Sequence, residues 1–310
     1  MPELPEVETM RRGLLPTVGG IITAISEPII PYRPIKIEPT LKQFRRRAVG
    51  ATVLSVDRIA KRVLVRLNTG DSIVMQPKMA GIAMVADPPS AQHTRMVFEL
   101  QGAEVDRFLY WDRRGLGTVC LWTPEQVEQH LGPEKLGPDA SIVGQKTFVS
   151  RFCEIDREVK VALLDQRIVC GIGNLYAVEI LHSAKVHPLT RCNTISKAIW
   201  KRIHRETIRI LCEAIEKEGS TLSDGTYRNA INGEGNYQNL HLVYDRASEH
   251  CITCRKGIIE RIFQAQRSTF YCPKCQKEDR VSGRSWLNDK FPQAIQNLVV
   301  ARIFAFSKRT

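Results

Sequence analysis

The sequence predicts a multidomain α+β protein, and three observations carry that prediction. Between about residues 20 and 122 apolar residues come in short runs of period two, and between about 142 and 220 they recur at helical spacings. Near the C-terminus, cysteines fall in two Cys-x-x-Cys pairs. A length of 310 residues fits about two domains of roughly 100–200 residues each.

Each element has a local reason. A first helix is expected from about Pro5, because a proline in the first turn has no hydrogen bond to lose. The runs Arg62-Val63-Leu64-Val65-Arg66-Leu67 and Arg95-Met96-Val97-Phe98-Glu99-Leu100, punctuated by Gly, Pro and Asp, predict an antiparallel β domain. Two Gly-Pro pairs between Leu131 and Ser141 read as a linker. Ile195, Ala198, Ile199, Ile203, Ile210, Leu211, Ala214 and Ile215 stand three and four residues apart, with Lys201, Arg202, Arg205 and Arg209 mostly elsewhere. That pattern predicts a long amphipathic helix over 195–217 with a basic outer face. Two short strands, Ile258–Ile262 and Ser268–Tyr271, should form a hairpin with Arg267 near its turn. The expected division is a β domain over 2–131, a linker over 132–141, a helical domain over 142–249, the Cys-rich hairpin over 250–276 and a basic extension over 277–310. A helix over about 291–305 is expected within the extension.

Lys and Arg number 45 against 33 Asp and Glu, a formal charge of +12, which points to a polyanionic partner. A hydrophobic content of 43% excludes a disordered chain. No run reaches the roughly 18 apolar residues of a membrane span, and Met1-Pro-Glu-Leu-Pro lacks a signal-peptide pattern, so the expectation is a soluble cytoplasmic protein with no membrane partner. Nine cysteines, an odd number, argue against a secreted disulfide framework. Cys120, Cys153, Cys170, Cys192 and Cys212 stand singly among apolar neighbours and are expected to be buried thiols.

The remaining four, Cys251, Cys254, Cys272 and Cys275, form pairs 17 residues apart and can close a tetrahedral thiolate shell around one structural Zn²⁺. So short a ribbon buries no core of its own, and the metal would supply its folding free energy. The N-terminus offers different chemistry. Met1 is commonly removed before a small residue, which would leave Pro2 with a secondary amine. An α-amine titrates roughly two units below Lys, so a usable fraction is neutral near pH 7. A neutral amine can attack a sugar C1′ and form an iminium. Glu3, beside it, could move protons, and Glu6, in the first helical turn, would reach the same side.

Further motifs occur in a fixed order: Pro2-Glu-Leu-Pro-Glu-Val-Glu-Thr9, Ala60-Lys61, Met79-Ala80-Gly81, Leu131-Gly-Pro-Glu134, Leu163-Leu-Asp-Gln166, Gly171-Ile-Gly-Asn-Leu-Tyr-Ala177 and Arg267-Ser-Thr-Phe-Tyr-Cys272-Pro-Lys-Cys275-Gln276. From residue 2 to about 276 the chain closely resembles the Fpg/Nei family, in particular the bacterial formamidopyrimidine-DNA glycosylases. The resemblance implies an N-terminal catalytic β-sandwich with flanking helices, a helix-two-turn-helix domain with a lesion loop, and a C-terminal zinc-finger β-hairpin. It further implies a monomeric, nucleoid-associated enzyme of base excision repair that binds damaged double-stranded DNA. Oxidised purines such as 8-oxoguanine and formamidopyrimidines would be excised through a Pro2 Schiff base, with β- and δ-elimination.

Carried over by position, Pro2 is the nucleophile and Glu3 its acid/base partner, while Lys61, Asn174 and Arg267 hold the kinked phosphate backbone. Met79, Arg114 and Leu116 match the side chains that fill the gap left by the everted base. Glu6, Gln76, His93 and Tyr227 complete the DNA- and substrate-facing set. Asn174 should open a helix whose free N–H groups, with the Asn amide, form a phosphate site. The chain departs from the family at Leu116, where Phe is usual; at Gln76, for His; at Val178, for Asp; and at Gln266, for a turn Gly. Leu4 favours the purine branch over an endonuclease VIII-like enzyme for oxidised pyrimidines. A non-catalytic damage-binding protein on the same scaffold is the alternative from another class.

Overall fold

Helix α1 (Leu4–Gly13) begins with a capping box: the Glu3 side chain accepts from the Glu6 backbone, and Glu3 N donates to Glu6 Oε2 at 2.8 Å. Nine strands follow before residue 123: β1 (Ile21–Ser26), β2 (Lys36–Glu38), β3 (Val53–Ile59), β4 (Arg62–Leu67), β5 (Ser72–Gln76), β6 (Gly81–Met84), β7 (Thr94–Gln101), β8 (Arg107–Asp112) and β9 (Thr118–Trp122). Helix α2 (Leu41–Ala48) interrupts them and α3 (Pro124–Leu131) closes the series. The strands form two sheets, ordered β1-β7-β8-β6 and β2-β9-β5-β4-β3. Pairing is antiparallel as expected, except that β2 runs parallel to β9. β2 is a three-residue edge strand far from β9 in sequence, so no hairpin turn dictates its direction. This is a computed structural model, and it describes residues 2–222 and 225–277, which fall in one unit. The expected extension, with its helix over 291–305, lies from residue 278 onward outside the described residues.

Period two has its consequence in β4. Val63, Val65 and Leu67 enter the core shared with Phe98, Phe108 and α1's Val7 and Met10, where Phe98 stacks on Phe108 at 4.3 Å between centroids. Leu64 faces the other way, under α3's Val127 and Leu131. Both faces of the sheet are therefore covered.

Residues 132–141 carry no helix or strand, yet they are pinned. Asp139 accepts from Arg58 Nη1 at 2.6 Å, and Cys170 N donates to Pro138 O at 2.9 Å. Four helices follow: α4 (Gln145–Phe152), α5 (Val159–Leu163), α6 (Asn174–Ser183) and α7 (Lys197–Glu216). In α7, Ile203, Ile210, Leu211 and Ala214 are buried as expected, but Ala198 is exposed and Trp200 fills the core instead. Trp200 lies three residues before Ile203 and seven before Thr207, on the apolar stripe that Ala198 misses. Its ring stacks on Phe152 at 5.1 Å. The thiol expectation holds for Cys120, Cys170 and Cys192, while Cys153 is half-buried and Cys212 is exposed on the outer face of α7. Strands β10 (Glu260–Gln264) and β11 (Arg267–Tyr271) make the hairpin, with Gln264 opposite Arg267. No helix among the described residues is long and apolar enough to cross a membrane.

Candidate active site

The turn before α6 has no side chain where α1 presses on it. A Cβ on Gly171 would fall 2.3 Å from Leu4 Cδ1, and one on Gly173 would fall 2.1 Å from Glu3 Cδ. Gly171 also has φ +104°, outside the range of other residues. This close approach brings the Glu3 carboxylate to the N-terminus of α6, where Leu175 N donates to Oε1 at 3.0 Å. Glu3 Oε2 is buried and has no hydrogen-bond partner among the described residues.

Glu6 braces the other side. Its carboxylate accepts from Tyr176 OH at 2.6 Å, Ser220 N at 2.9 Å and Glu3 N at 2.8 Å. Burial, and then the Glu3 charge, push its pKa above the ordinary value against those hydrogen bonds. Tyr227 is buried beside it and donates to Glu218 O at 3.0 Å. Pro2, Glu3, Glu6, Met79 and Tyr227 line one cavity with Leu175, Ser220 and Thr226. At about 20 Å³ it has room for about one water, so an everted base could enter only after its walls move.

A cluster of cations lies alongside. Lys61 Nζ donates to Ile172 O at 2.9 Å; burial lowers its pKa, Glu3 opposes the shift and Arg267 adds to it. Arg267 opens β11 after a turn in which Ala265 and Gln266 have φ of 45° and 61°, so Gln266 adopts the left-handed conformation that glycine usually supplies. Asn174 is the first residue of α6, as expected, but its Nδ2 donates to Ser268 O at 2.9 Å. At this helix N-terminus Leu175 N is taken by Glu3, and one Nδ2 hydrogen of Asn174 ties α6 to the hairpin while the amide keeps a second donor.

The structure adds Lys160, which sequence reasoning missed. It is buried on α5, and its Nζ has no hydrogen-bond partner among the described residues. Burial first, then Arg267, push its pKa down to about 8, with Glu158 and Glu3 opposing. The signal was a lone lysine inside the apolar run Val159-Lys-Val-Ala-Leu-Leu164.

Gln76, His93, Arg114 and Leu116 do not line the cavity; they stand at strand ends of the β-sandwich. Gln76 ends β5, and its carbonyl accepts from Tyr110 OH at 3.0 Å. Met79, 41% exposed, occupies the turn that follows. Arg114 and Leu116 sit in a turn shaped by Asp112, a second residue missed from sequence. Its carboxylate accepts from Arg114 N at 2.9 Å, Gly115 N at 3.0 Å and Gly117 N at 2.6 Å. An Asp followed by Arg-Arg-Gly was the available signal, since Asp side chains bind their own backbone in turns. The His93 ring packs 4.7 Å from Tyr32 and edge-on to Trp111 at 5.7 Å. Burial, then Arg95 and Arg113, lower its pKa.

The four cysteine sulfurs lie within 4.8 Å of one another. Cys251–Cys275 and Cys254–Cys272 are each 3.8 Å apart. A tetrahedron with Zn–S bonds of about 2.3 Å has edges of about 3.8 Å, so the donor set fits such an ion. Gly257 keeps the knuckle tight, because a Cβ there would meet Cys272 Sγ at 2.6 Å.

Comparison with known proteins agrees with this architecture. A family model described as the formamidopyrimidine-DNA glycosylase N-terminal domain matches residues 1–119, and one described as the H2TH domain of the same glycosylase matches residues 131–226. A formamidopyrimidine-DNA glycosylase of Streptococcus pyogenes is 37% identical over 283 residues, which cover 90% of this chain and 99% of the relative. The crystal structure of the Fpg protein from Thermus thermophilus is 32% identical with a TM-score of 0.77, covering 89% of this chain and 99% of that one. A Lactococcus lactis Fpg complex with DNA containing an abasic site is 29% identical with a TM-score of 0.79, covering 89% of this chain and 100% of that one. On its fold and on these likenesses, the chain belongs to the formamidopyrimidine-DNA glycosylase family.

Proposed function

We propose that the protein is a bifunctional DNA glycosylase and AP lyase of base excision repair that acts on oxidised purines in double-stranded DNA. The observation that carries this reading is the pairing of Pro2 and Glu3 on one cavity, with Glu3 Oε2 buried and unpartnered among the described residues. A carboxylate oxygen with no donor among the described residues is free to exchange a proton with whatever enters beside Pro2.

With Met1 removed, the Pro2 nitrogen attacks C1′ of the damaged nucleoside. The glycosidic bond breaks, and the base leaves with the bonding electrons and a proton supplied through Glu3. The C1′–O4′ bond then breaks, O4′ takes up the proton that the Pro2 nitrogen has given up, and the nitrogen lone pair closes the iminium at C1′. This acidifies the 2′ hydrogens; loss of one expels the 3′ phosphate, and a second elimination expels the 5′ phosphate. Glu6 fixes Glu3 through the Glu3 N–H, and Lys61, Lys160 and Arg267 supply positive charge for the phosphates. Met79, Arg114 and Leu116 would fill the vacated stack, with Gln76 and His93 nearby on the same sandwich and Tyr227 toward the base. Cys251, Cys254, Cys272 and Cys275 would hold zinc, which would supply the folding free energy of the hairpin. We divide the chain at the boundaries expected from sequence, as a monomer acting at the nucleoid in the cytoplasm.

Borohydride trapping tests the chemistry. The processed protein should form a covalent adduct with abasic DNA, and Pro2→Gly should weaken or abolish it. No adduct from zinc-loaded protein would favour a damage-binding module instead. Excision from 8-oxoguanine and thymine glycol duplexes tests the substrate, and a preference for the pyrimidine would overturn the purine assignment.

A further inference from the structure

His182 lies in the last turn of α6, 2% exposed, with Nε2 3.6 Å from Cys251 Sγ. A metal-bound thiolate can only accept a hydrogen bond, so the ring nitrogen facing it must carry the proton. Nδ1 is then a bare lone pair, and it is indeed buried with no partner among the described residues. Four thiolates around a divalent ion leave a net charge near −2 in a largely buried site, and N–H donors aimed at sulfur offset the cost of burying it. Gly257 N makes one such bond, to Cys254 Sγ at 3.4 Å.

The same helix holds the metal ribbon at two further points. Asn174, its first residue, donates to Ser268 O at 2.9 Å on the strand that Arg267 opens. Glu179 accepts from Leu242 N at 2.9 Å, Val243 N at 2.9 Å and Tyr244 N at 2.8 Å, on the segment leading to the first knuckle. His182 is the third tie, and it reaches the metal centre itself.

We propose that His182 belongs to the metal centre without being a ligand: its Nε2–H donates to the Cys251 thiolate, slows metal loss and anchors the ribbon to α6. The proposal rests on reading the four cysteines as a zinc centre, and its test keeps the two separate. Elemental analysis of the full-length protein comes first: a chain without zinc overturns the metal reading and this inference with it. In the zinc-loaded protein, His182→Phe, which keeps the ring volume but no donor, should release metal to a chromogenic chelator about 10–100-fold faster. His182→Gln, which restores an N–H, should stay close to wild type. With Co²⁺ in place of zinc, the thiolate-to-metal charge-transfer band should move to lower energy in His182→Phe and stay in place in His182→Gln. Unchanged release and bands in His182→Phe, or equally fast release from both variants, overturns the hydrogen bond. Should His182→Phe fail to fold, the wild-type protein loaded with ¹¹³Cd decides: a coupling between the His182 Nε2 proton and the metal supports the bond, and its absence overturns it.

Discussion

Gly173→Ala is the sharpest test of how the active-site carboxylate is placed. The added Cβ would stand 2.1 Å from Glu3 Cδ, where ordinary van der Waals contact begins at 3.4 Å. Glu3 would have to move by about 1.3 Å, enough to lose its bond from Leu175 N. Backbone strain does not confuse the experiment, because Gly173 has φ −125° and ψ −163°, which alanine adopts freely. Overpacking of this kind costs about 1–3 kcal/mol, and replacing a glycine N-cap adds about 0.5–1 kcal/mol. A double-mutant cycle separates the two. In the Glu3→Ala background only the capping loss should remain, giving a coupling of about 1–3 kcal/mol by denaturant unfolding. Single-turnover excision by Gly173→Ala should fall about 100-fold, the usual penalty for misplacing a catalytic group by about 1 Å. An equal stability cost in both backgrounds, or excision at the wild-type rate, would refute the claim that Gly173 is glycine to admit Glu3.

Other consequences are as specific. Asp112→Ala removes the acceptor of three backbone N–H groups and should slow trapping on duplex abasic DNA about 10-fold or more, while single-stranded abasic DNA, which has no gap to fill, reacts as before. Equal slowing on both substrates would separate Asp112 from the turn that carries Arg114 and Leu116. Lys160 has its pKa pushed down to about 8, so its buried ammonium costs stability below that pH and the penalty fades as pH rises toward the ordinary 10.5. Lys160→Met should therefore gain about 1–3 kcal/mol at pH 7 and less at pH 10, with weaker DNA binding, measured by unfolding at both values. Burial alone would raise the pKa of Glu8, but Arg11 and Arg58 outweigh it and hold it below the ordinary value. Its ion pairs thus stabilise the fold above about pH 4.3 and are lost as pH falls through the lower folded value. Glu8→Gln should lower Tm at pH 7 and narrow its difference from wild type in acid. Affinity for undamaged duplex should fall steeply with salt, and a flat profile would mean that the +12 charge serves something else.

The sequence was most legible where a pattern has one physical solution. Alternation over Arg62–Leu67 matches β4 to the residue, because a strand with two covered faces allows no slip in register. The four cysteines were equally plain, since thiolates at that spacing close a shell of fixed size. Less legible were side chains whose role depends on what faces them. Lys160 looked like one of many lysines until its Nζ proved buried beside Arg267. Asp112 carried a faint signal in the Arg-Arg-Gly that follows it, but the fold shows that its carboxylate gathers three N–H groups of one turn. Ala198 and Trp200 show a third limit, because apolar spacing gives the stripe of a helix but leaves its edges to the neighbouring aromatics.

The Gly171-to-Asn174 motif shows how a general rule can be met first from within the chain. A helix N-terminus preceded by glycines attracts an anion, and this one does, but the anion is the chain's own Glu3. Both glycines are needed for that contact, one beneath Leu4 and the other beneath the Glu3 carboxylate, so they serve α1 first. The consequence falls on the cations. With Leu175 N committed to Glu3, the phosphates of the proposed DNA partner would be met by the second Nδ2 hydrogen of Asn174 and by the cations Lys61, Lys160 and Arg267. Two of these three are held at lowered pKa by burial and by Arg267, so the cluster is costly without a ligand and relieved by one. A phosphate bound there would do more than neutralise charge: it would remove a penalty that the folded protein carries alone.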